Sequence, residues 1–448
     1  MRKRGFMMIE QMKPSGIDWI GEIPTDWNIK RVKYLASLKG RIGWQGLTSD
    51  EYIDEGPFLI TGIDFCNGGI DWENCVHITE ERWAEAPEIH IHNGDLLITK
   101  DGTIGKVAIV DNLTTKASLN SGVLLIRPQV DYDKKFLFWV LQSDEFWTWF
   151  KLKNAGNSTI VHLYQGDFAE FSYTFPMVEE QKAIANYLDA QCSKLDSIIA
   201  DLEKQIDTLQ KYKKSLITET VTKGLDKSVP MKDSGIEWIG KIPTHWSINR
   251  TRYIAKLCSG ATPSKDNISY WEGDIPWVSS QEVKSDVIFD TSLHISEEAI
   301  NSCSTRLLPK GTMVMVVRSG ILQHTIPVAL LGVPATINQD IKAFEFNNSV
   351  IPAYFKYYIQ GENDALLSIL MKDKTTVESI DNNLLLSLKI MVPPIDEQKD
   401  IVNFLDKRCM HIDGIRQDKQ NQLEAIKKHK ESLIYEYVTG KKRVTEVK

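Results

Sequence analysis

The chain has 448 residues, 42% hydrophobic and 25% charged, the composition of ordinary globular protein and enough length for two or more cores. A net charge of −7 excludes a protein that coats DNA through its overall charge, because nonspecific phosphate binding draws on many Lys and Arg; any nucleic-acid surface has to be local. No apolar run reaches the ~18 residues of a membrane span, the N-terminal MRKRGFMMIEQM lacks a secretory core, and six cysteines (Cys66, Cys75, Cys192, Cys258, Cys303, Cys409) form no CxxC pair, which together point to a reduced, cytoplasmic protein without membrane contact.

In chain order, the first recognisable block is MKPSGIDWIGEIPTDWNIKRVKYLASL, from Met12. Short apolar or alternating runs follow, GDLLIT (94–99), KVAIV (106–110) and GVLLIRP (122–128), punctuated by Gly, Asn and Asp, and they predict strands. GTIGK (102–106) resembles a phosphate loop but lacks the upstream glycine and the following Ser or Thr, so it reads as a turn. Next comes FPMVEEQKAIANYLDAQCSKLDSI from Phe175. Here Leu188, Leu195, Leu202, Leu209 and Leu216 recur every seven residues, and Ile198, Ile199, Ile206 and Tyr212 fill positions three or four further on, the pattern of a long helix with an adhesive seam. Pro176, Glu179 and Glu180 mark its start and Gly224 its end.

The first block then recurs as MKDSGIEWIGKIPTHWSINRTRYIAKL from Met231, with more than half of the positions identical. GTMVMVVR (311–318) and KAFEF (342–346) predict further strands, and VPPIDEQKDIVNFLDKRCMHIDGI from Val392 repeats the helical block with Leu405, Ile412, Ile426 and Leu433 in phase, Ile415 and Leu423 in support, and Lys419 interrupting the seam. The order is A-B-A′-B′, with two poorly matching inserts of about 140 residues on one duplicated frame. Inside the inserts, Pro57-Phe58-Leu59 parallels Pro276-Trp277-Val278, Lys100 parallels Arg318 after a one-residue gap, and Ser118-Leu119-Asn120 parallels Thr336-Ile337-Asn338. One frame with two unlike inserts implies one task performed on two targets. Some 40 helical residues make a rod of about 60 Å, long enough to hold two domains apart.

The A-B-A′-B′ order, the PxxxEQxxIxxxLD start of each long helix (176–189 and 393–406) and GDLLITKDGTIGK (94–106) resemble type I restriction-modification specificity subunits over nearly the whole chain. The resemblance implies an α+β fold: two α+β target recognition domains joined by two long antiparallel coiled-coil helices, with internal pseudo-two-fold duplication. The expected boundaries are 1–175 for the first recognition domain, 176–230 for the first spacer helix, 231–391 for the second recognition domain and 392–448 for the second helix. It also implies a non-catalytic reader of a bipartite DNA site. Its partners are double-stranded DNA, two methyltransferase subunits that carry S-adenosylmethionine and methylate adenine, and motor-nuclease restriction subunits that use ATP and magnesium; this chain itself holds no cofactor.

Candidate DNA contacts are Lys100 and Arg318 beside glycine-containing turns, where a cation meets phosphate or guanine O6 and N7, with Lys106 and Lys116 as weaker candidates. Asn120 and Asn338 have the amide needed for adenine, although an asparagine at a strand boundary more often satisfies backbone groups. Trp19, Trp27, Trp238 and Trp246 lie in the repeated frame and read as packing residues. Other chemistries have weaker support. Cys66, Cys75, His77, His90 and His92 match no common zinc spacing. Asp274, Glu282 and Lys284 imitate a magnesium-dependent nuclease triad, but the stretch near Asp64 has no such lysine. There is no Gly-rich S-adenosylmethionine loop, and Val392-Pro393-Pro394-Ile395 lacks the amide and the ring that hold a flipped adenine. A nuclease in the second insert and a coiled-coil scaffold without sequence readout are the alternatives.

Overall fold

The structure, a computed structural model, describes residues 11–41, 47–155, 161–372 and 377–444; residues 1–10 of the N-terminal segment read above for a targeting signal lie outside these. The chain divides into two units, Met1–Leu202 with Asn421–Lys448, and Glu203–Gln420. Among the described residues no helix is long and apolar enough to cross a membrane.

In unit 1 the three apolar runs of the insert become strands of one antiparallel sheet, in the order Val107–Ile109, Leu96–Thr99, Val123–Pro128, Ala36–Lys39, with Leu97 opposite Leu125. Both faces are covered, which is why these strands read as continuous rather than alternating apolar sequence. One face (Leu96, Ile98, Leu124, Ile126) packs on Phe136, Leu137 and Val140 of the Lys134–Gln142 helix and reaches Ile184 and Leu188 of the first long helix. The other (Leu97, Val123, Leu125) packs on a small sheet in which Ala117–Leu119 runs parallel to Ile53–Ile60. Unit 2 repeats this arrangement. Its sheet has the order Ala255–Ser259, Ile341–Phe346, Met313–Val316, Val328–Leu331, Val287–Ile288, and lies between the Pro352–Gly361 helix and a small sheet in which Ile275–Val278 runs parallel to Thr336–Ile337. The fold is α+β, as expected.

The long helices span Val178–Lys223 and Ile395–Val438, and glycines in the left-handed region, Gly224 and Gly440, follow each. In unit 1 they run antiparallel, with the Tyr187 and Tyr437 rings 4.6 Å apart and Asp196 Oδ1 2.5 Å from Lys430 Nζ. In unit 2 the same frame positions form the same ion pair, Lys213 Nζ to Asp413 Oδ2 at 2.6 Å, and Gly224 lies against Glu397 at the far end of the pairing.

Leu188, Leu202, Leu405, Ile412 and Leu433 are buried, while Leu195, Leu209, Leu216 and Ile426 are half-buried. Ile198 and Tyr212, expected to fill the seam, are instead exposed. They lie three residues beyond a leucine; the seam is completed at the fourth residue, where Cys192, Ile199, Ile206 and Thr220 are buried or half-buried, because a helix of 3.6 residues per turn carries the third position outward on this side.

The structure explains the PxxxEQxxIxxxLD signature as a clamp made once in each unit. Glu180 accepts a hydrogen bond from the Trp27 indole and Glu397 one from the Trp246 indole, both at 3.0 Å. Gln181 Oε1 accepts the Asp133 N–H at 2.9 Å, and Gln398 Oε1 the Ile351 N–H at 2.8 Å; each thereby holds the start of the insert helix. Asp189 accepts from the Trp139 indole at 2.9 Å and Asp406 from the Tyr357 hydroxyl at 2.6 Å, on the body of that helix. Trp27 and Trp246 are therefore buried packing residues, Trp19 is partly buried, and Trp238 is 40% exposed. At the end of each long helix a lysine donates to the turn of the frame hairpin, Lys223 to the Ile239 carbonyl at 3.0 Å and Lys441 to the Ile20 carbonyl at 2.7 Å. Unit 1 thus joins the two ends of the described chain, and Tyr435 donates to the Trp19 carbonyl at 2.9 Å.

Candidate nucleic-acid interface

The strand registers align the two inserts residue by residue. Thr99 lies opposite Val123 and Val316 opposite Ile341. The next residues, Lys100 and Val317, donate their N–H groups to the Gly122 and Asp340 carbonyls, both at 2.8 Å. Lys100 therefore corresponds to Val317, and Arg318 to Asp101, which corrects the one-residue gap inferred from sequence. Likewise Ile60 and Val278 occupy matching positions, opposite Leu119 and Ile337, so the Pro57 and Pro276 segments are offset by one as well. The Asn120–Asn338 correspondence holds, since their N–H groups donate to the Ile60 and Val278 carbonyls at 2.9 and 3.0 Å. The sequence slips arise because short apolar strands match one another in several registers, whereas backbone pairing admits one.

In unit 2 the exposed Arg318 has no side-chain hydrogen bond or ion pair among the described residues. It lines a cavity of about 300 Å³ together with Lys342, Lys372, Gln339, Ser379 and Asn382, and no carboxylate among the described residues lines it. Lys342 Nζ donates to Ser259 Oγ, and burial holds its ammonium below the usual lysine value. Gln339 Oε1 accepts from Thr262 at 2.6 Å. In unit 1 the matching corner carries Lys100, half-buried and also without a described side-chain partner, and Asp101, whose Oδ1 is 2.5 Å from His162 Nδ1. Leu163 donates to the Lys100 carbonyl at 3.0 Å just as Ile380 donates to that of Val317 at 2.8 Å, so the two corners share one backbone frame.

The remaining candidates are engaged within the protein. Lys106 Nζ donates to the Gly62 carbonyl at 3.2 Å. Lys116 pairs with Glu80 at 2.6 Å and lies 4.5 Å from the centre of the Trp83 ring. Asn120 accepts from the Ser121 N–H at 2.7 Å, and Asn338, buried, accepts from the Asp340 N–H at 3.0 Å; both are local backbone bonds. The GTIGK segment is a turn, with Gly102 and Gly105 in the left-handed region and the Gly105 backbone against the Trp147 ring.

The sulfur and imidazole groups of insert 1 are dispersed: Cys75 donates to the Asp71 carbonyl, His77 pairs with the Gly56 carbonyl, His90 stacks on Trp83 with centroids 3.6 Å apart, and His92 contacts Arg127 at 2.8 Å. Glu282 is taken up by Ser292. Among the described residues no group of three or more His, Cys, Asp or Glu has the geometry to hold a metal ion. Sequence reasoning missed Lys342, Lys372 and the Asp101–His162 pair. The signal for Lys342 was present in KAFEF, where alternation places the lysine on the face of Phe344 and Phe346 at the strand end.

A duplicated α+β protein that mounts two unlike inserts on one repeated clamp, each with a polar corner at the same strand end, is a two-headed recognition protein in architecture. Comparison with known proteins gives the family. The model for the type I restriction modification DNA specificity domain matches twice, over residues 24–208 and 243–425, and the chain belongs to that family. It is 34% identical over 215 residues to the type I restriction enzyme EcoR124I/EcoR124II specificity subunit of Escherichia coli, an alignment covering 47% of this chain and 49% of that protein. It is 26% identical over 440 residues to the MjaVIII specificity subunit of Methanocaldococcus jannaschii, covering 94% of each. A solved structure described as the structural basis of complex assembly and conformational transition of the type I R-M system superposes with a TM-score of 0.70 at 16% identity, over 93% of this chain and 98% of that one, and shares the fold.

Proposed function

We propose that this chain is the specificity subunit of a type I restriction-modification assembly and reads two unlike DNA half-sites, one per unit. The observation that carries the reading is the exact reuse of the clamp, Glu180–Trp27 and Glu397–Trp246, beneath two inserts whose matching corners differ in charge, Asp101 in one and Arg318 in the other. A repeated mount with changed reading heads is what a bipartite, asymmetric site requires, and two linked contacts make the second effectively intramolecular. The family membership favours this reading over a nuclease in the second insert or a scaffold without sequence readout.

Two copies of the frame provide two equivalent docking places for methyltransferase subunits. Each copy presents a tyrosine at the same position, Tyr34 and Tyr253, 62% and 68% exposed. In this reading S-adenosylmethionine belongs to those subunits, ATP and magnesium belong to a motor-nuclease partner, and the assembly works in the cytoplasm. The test is genome-wide mapping of methylated adenines in cells with and without this chain. The expected result is one split, asymmetric motif that disappears with the chain; an unchanged methylation map contradicts the proposal.

A further inference from the structure

The two corners share a feature that sequence alignment hides. Lys39 pairs with Leu125 and Cys258 with Ala343, at matching sheet positions, so Gly40 and Ser259 are equivalent residues. Lys342 Nζ sits on Ser259 Oγ, and Lys100 Nζ comes within 4.0 Å of the place a Cβ on Gly40 would occupy. Yet Lys342 belongs to the Ile341–Phe346 strand, whereas Lys100 follows the Leu96–Thr99 strand. The same point on the two sheets thus holds an ammonium group supplied from different strands.

We propose that this point is where each insert grips the phosphate backbone of its DNA half-site, through Lys100 on one phosphate in unit 1 and through Lys342, Arg318 and Lys372 on successive phosphates in unit 2. The inference deepens the DNA-reading proposal and rests on it. A lysine has three donors; Ser259 uses one on Lys342 and the others remain available to an anion. In a chain of net charge −7, a cavity lined by three cations and, among the described residues, no carboxylate is suited to an anion. In unit 1 the position matching Arg318 is Asp101, held by His162, so the first grip has one cation where the second has three. Such contacts position the protein on the duplex without reading sequence.

The experiment measures binding of the full chain to a random-sequence duplex across a salt titration, and to a duplex carrying a site recovered by selection. Neutralising one phosphate contact lowers the slope of log K against log salt by about 0.9. Arg318→Gln with Lys372→Gln therefore lowers it by about 2, Lys342→Gln by about 1 more, and Lys100→Gln by about 1, with selected and random duplexes weakened alike. Slopes equal to wild type overturn the proposal, and so does a loss confined to the selected duplex, which means base contact instead. Circular dichroism checks each variant's fold; Arg318 and Lys372 are exposed, so their pair decides the question if Lys342→Gln misfolds. Should wild type fail to favour the selected duplex, the specificity reading fails, while the slopes on random duplex still decide the grip.

Discussion

Glu145 is fully buried in unit 1, and burial pushes its carboxyl up to about 8, against a hydrogen bond from the Thr174 N–H. Thr174 in turn donates to the Val438 carbonyl, so this carboxyl underlies the seat of the second long helix's end. The folded protein keeps a proton that the unfolded chain releases near the usual 4.5, so the resulting stability is complete below about 4.5 and is lost as pH rises through about 8. Glu145→Gln removes that dependence. Thermal unfolding of the two proteins from pH 5 to 9 is expected to show the variant gaining on wild type up to about pH 8 and levelling off beyond it; parallel curves contradict the assignment. At this scale the sequence was least informative. Lys100 and Arg318 stood out as cations beside glycines, but alternation in KAFEF gave only the face of Lys342 and not its place at the corner, and Lys116 gave no sign that Glu80 already held it. A side chain's partner depends on a fold that brings distant residues together, and local sequence carries no record of that.

At the scale of elements, legibility was much higher, because periodicity is a local property. The runs at 94–99, 106–110, 122–128, 311–318 and 342–346 each contain a strand, the first long helix begins and ends beside its Pro176 and Gly224 signals, and the second begins just after Pro393. What periodicity could not settle was which neighbour of each leucine faces the seam. Leu188→Ala, in the buried row, is expected to cost about 2–5 kcal/mol. Ile198→Ala, on the exposed side, is expected to cost less than about 0.5 kcal/mol, as for surface substitutions generally. Urea unfolding of both variants tests the seam, and equal losses refute it. The equivalent ion pairs Asp196–Lys430 and Lys213–Asp413 are partly exposed, so each contributes about 0.2–1 kcal/mol. Reversing either charge lowers stability by about that amount, and the double swap Asp196→Lys with Lys430→Asp restores it; a swap no better than either single variant argues against pairing.

For the whole molecule, the internal repeat was the most informative signal, since it announced two copies of one mount before any element was assigned. The hydrogen bonds give it physical content: the same Glu, Gln and Asp of each long helix hold the same indole, helix start and helix body in each unit. Among the described residues none of these clamp groups lines the polar cavity of unit 2, so an insert can change what it reads without disturbing its mount. That separation of mount from reader is the central claim, and exchange of residues 41–174 for the insert of another family member tests it most directly. Binding sites are selected from random DNA with the chimera and with wild type. The account predicts that one half of the split consensus changes while the other half stays the same; a change in both halves, or a single undivided consensus from either protein, contradicts it.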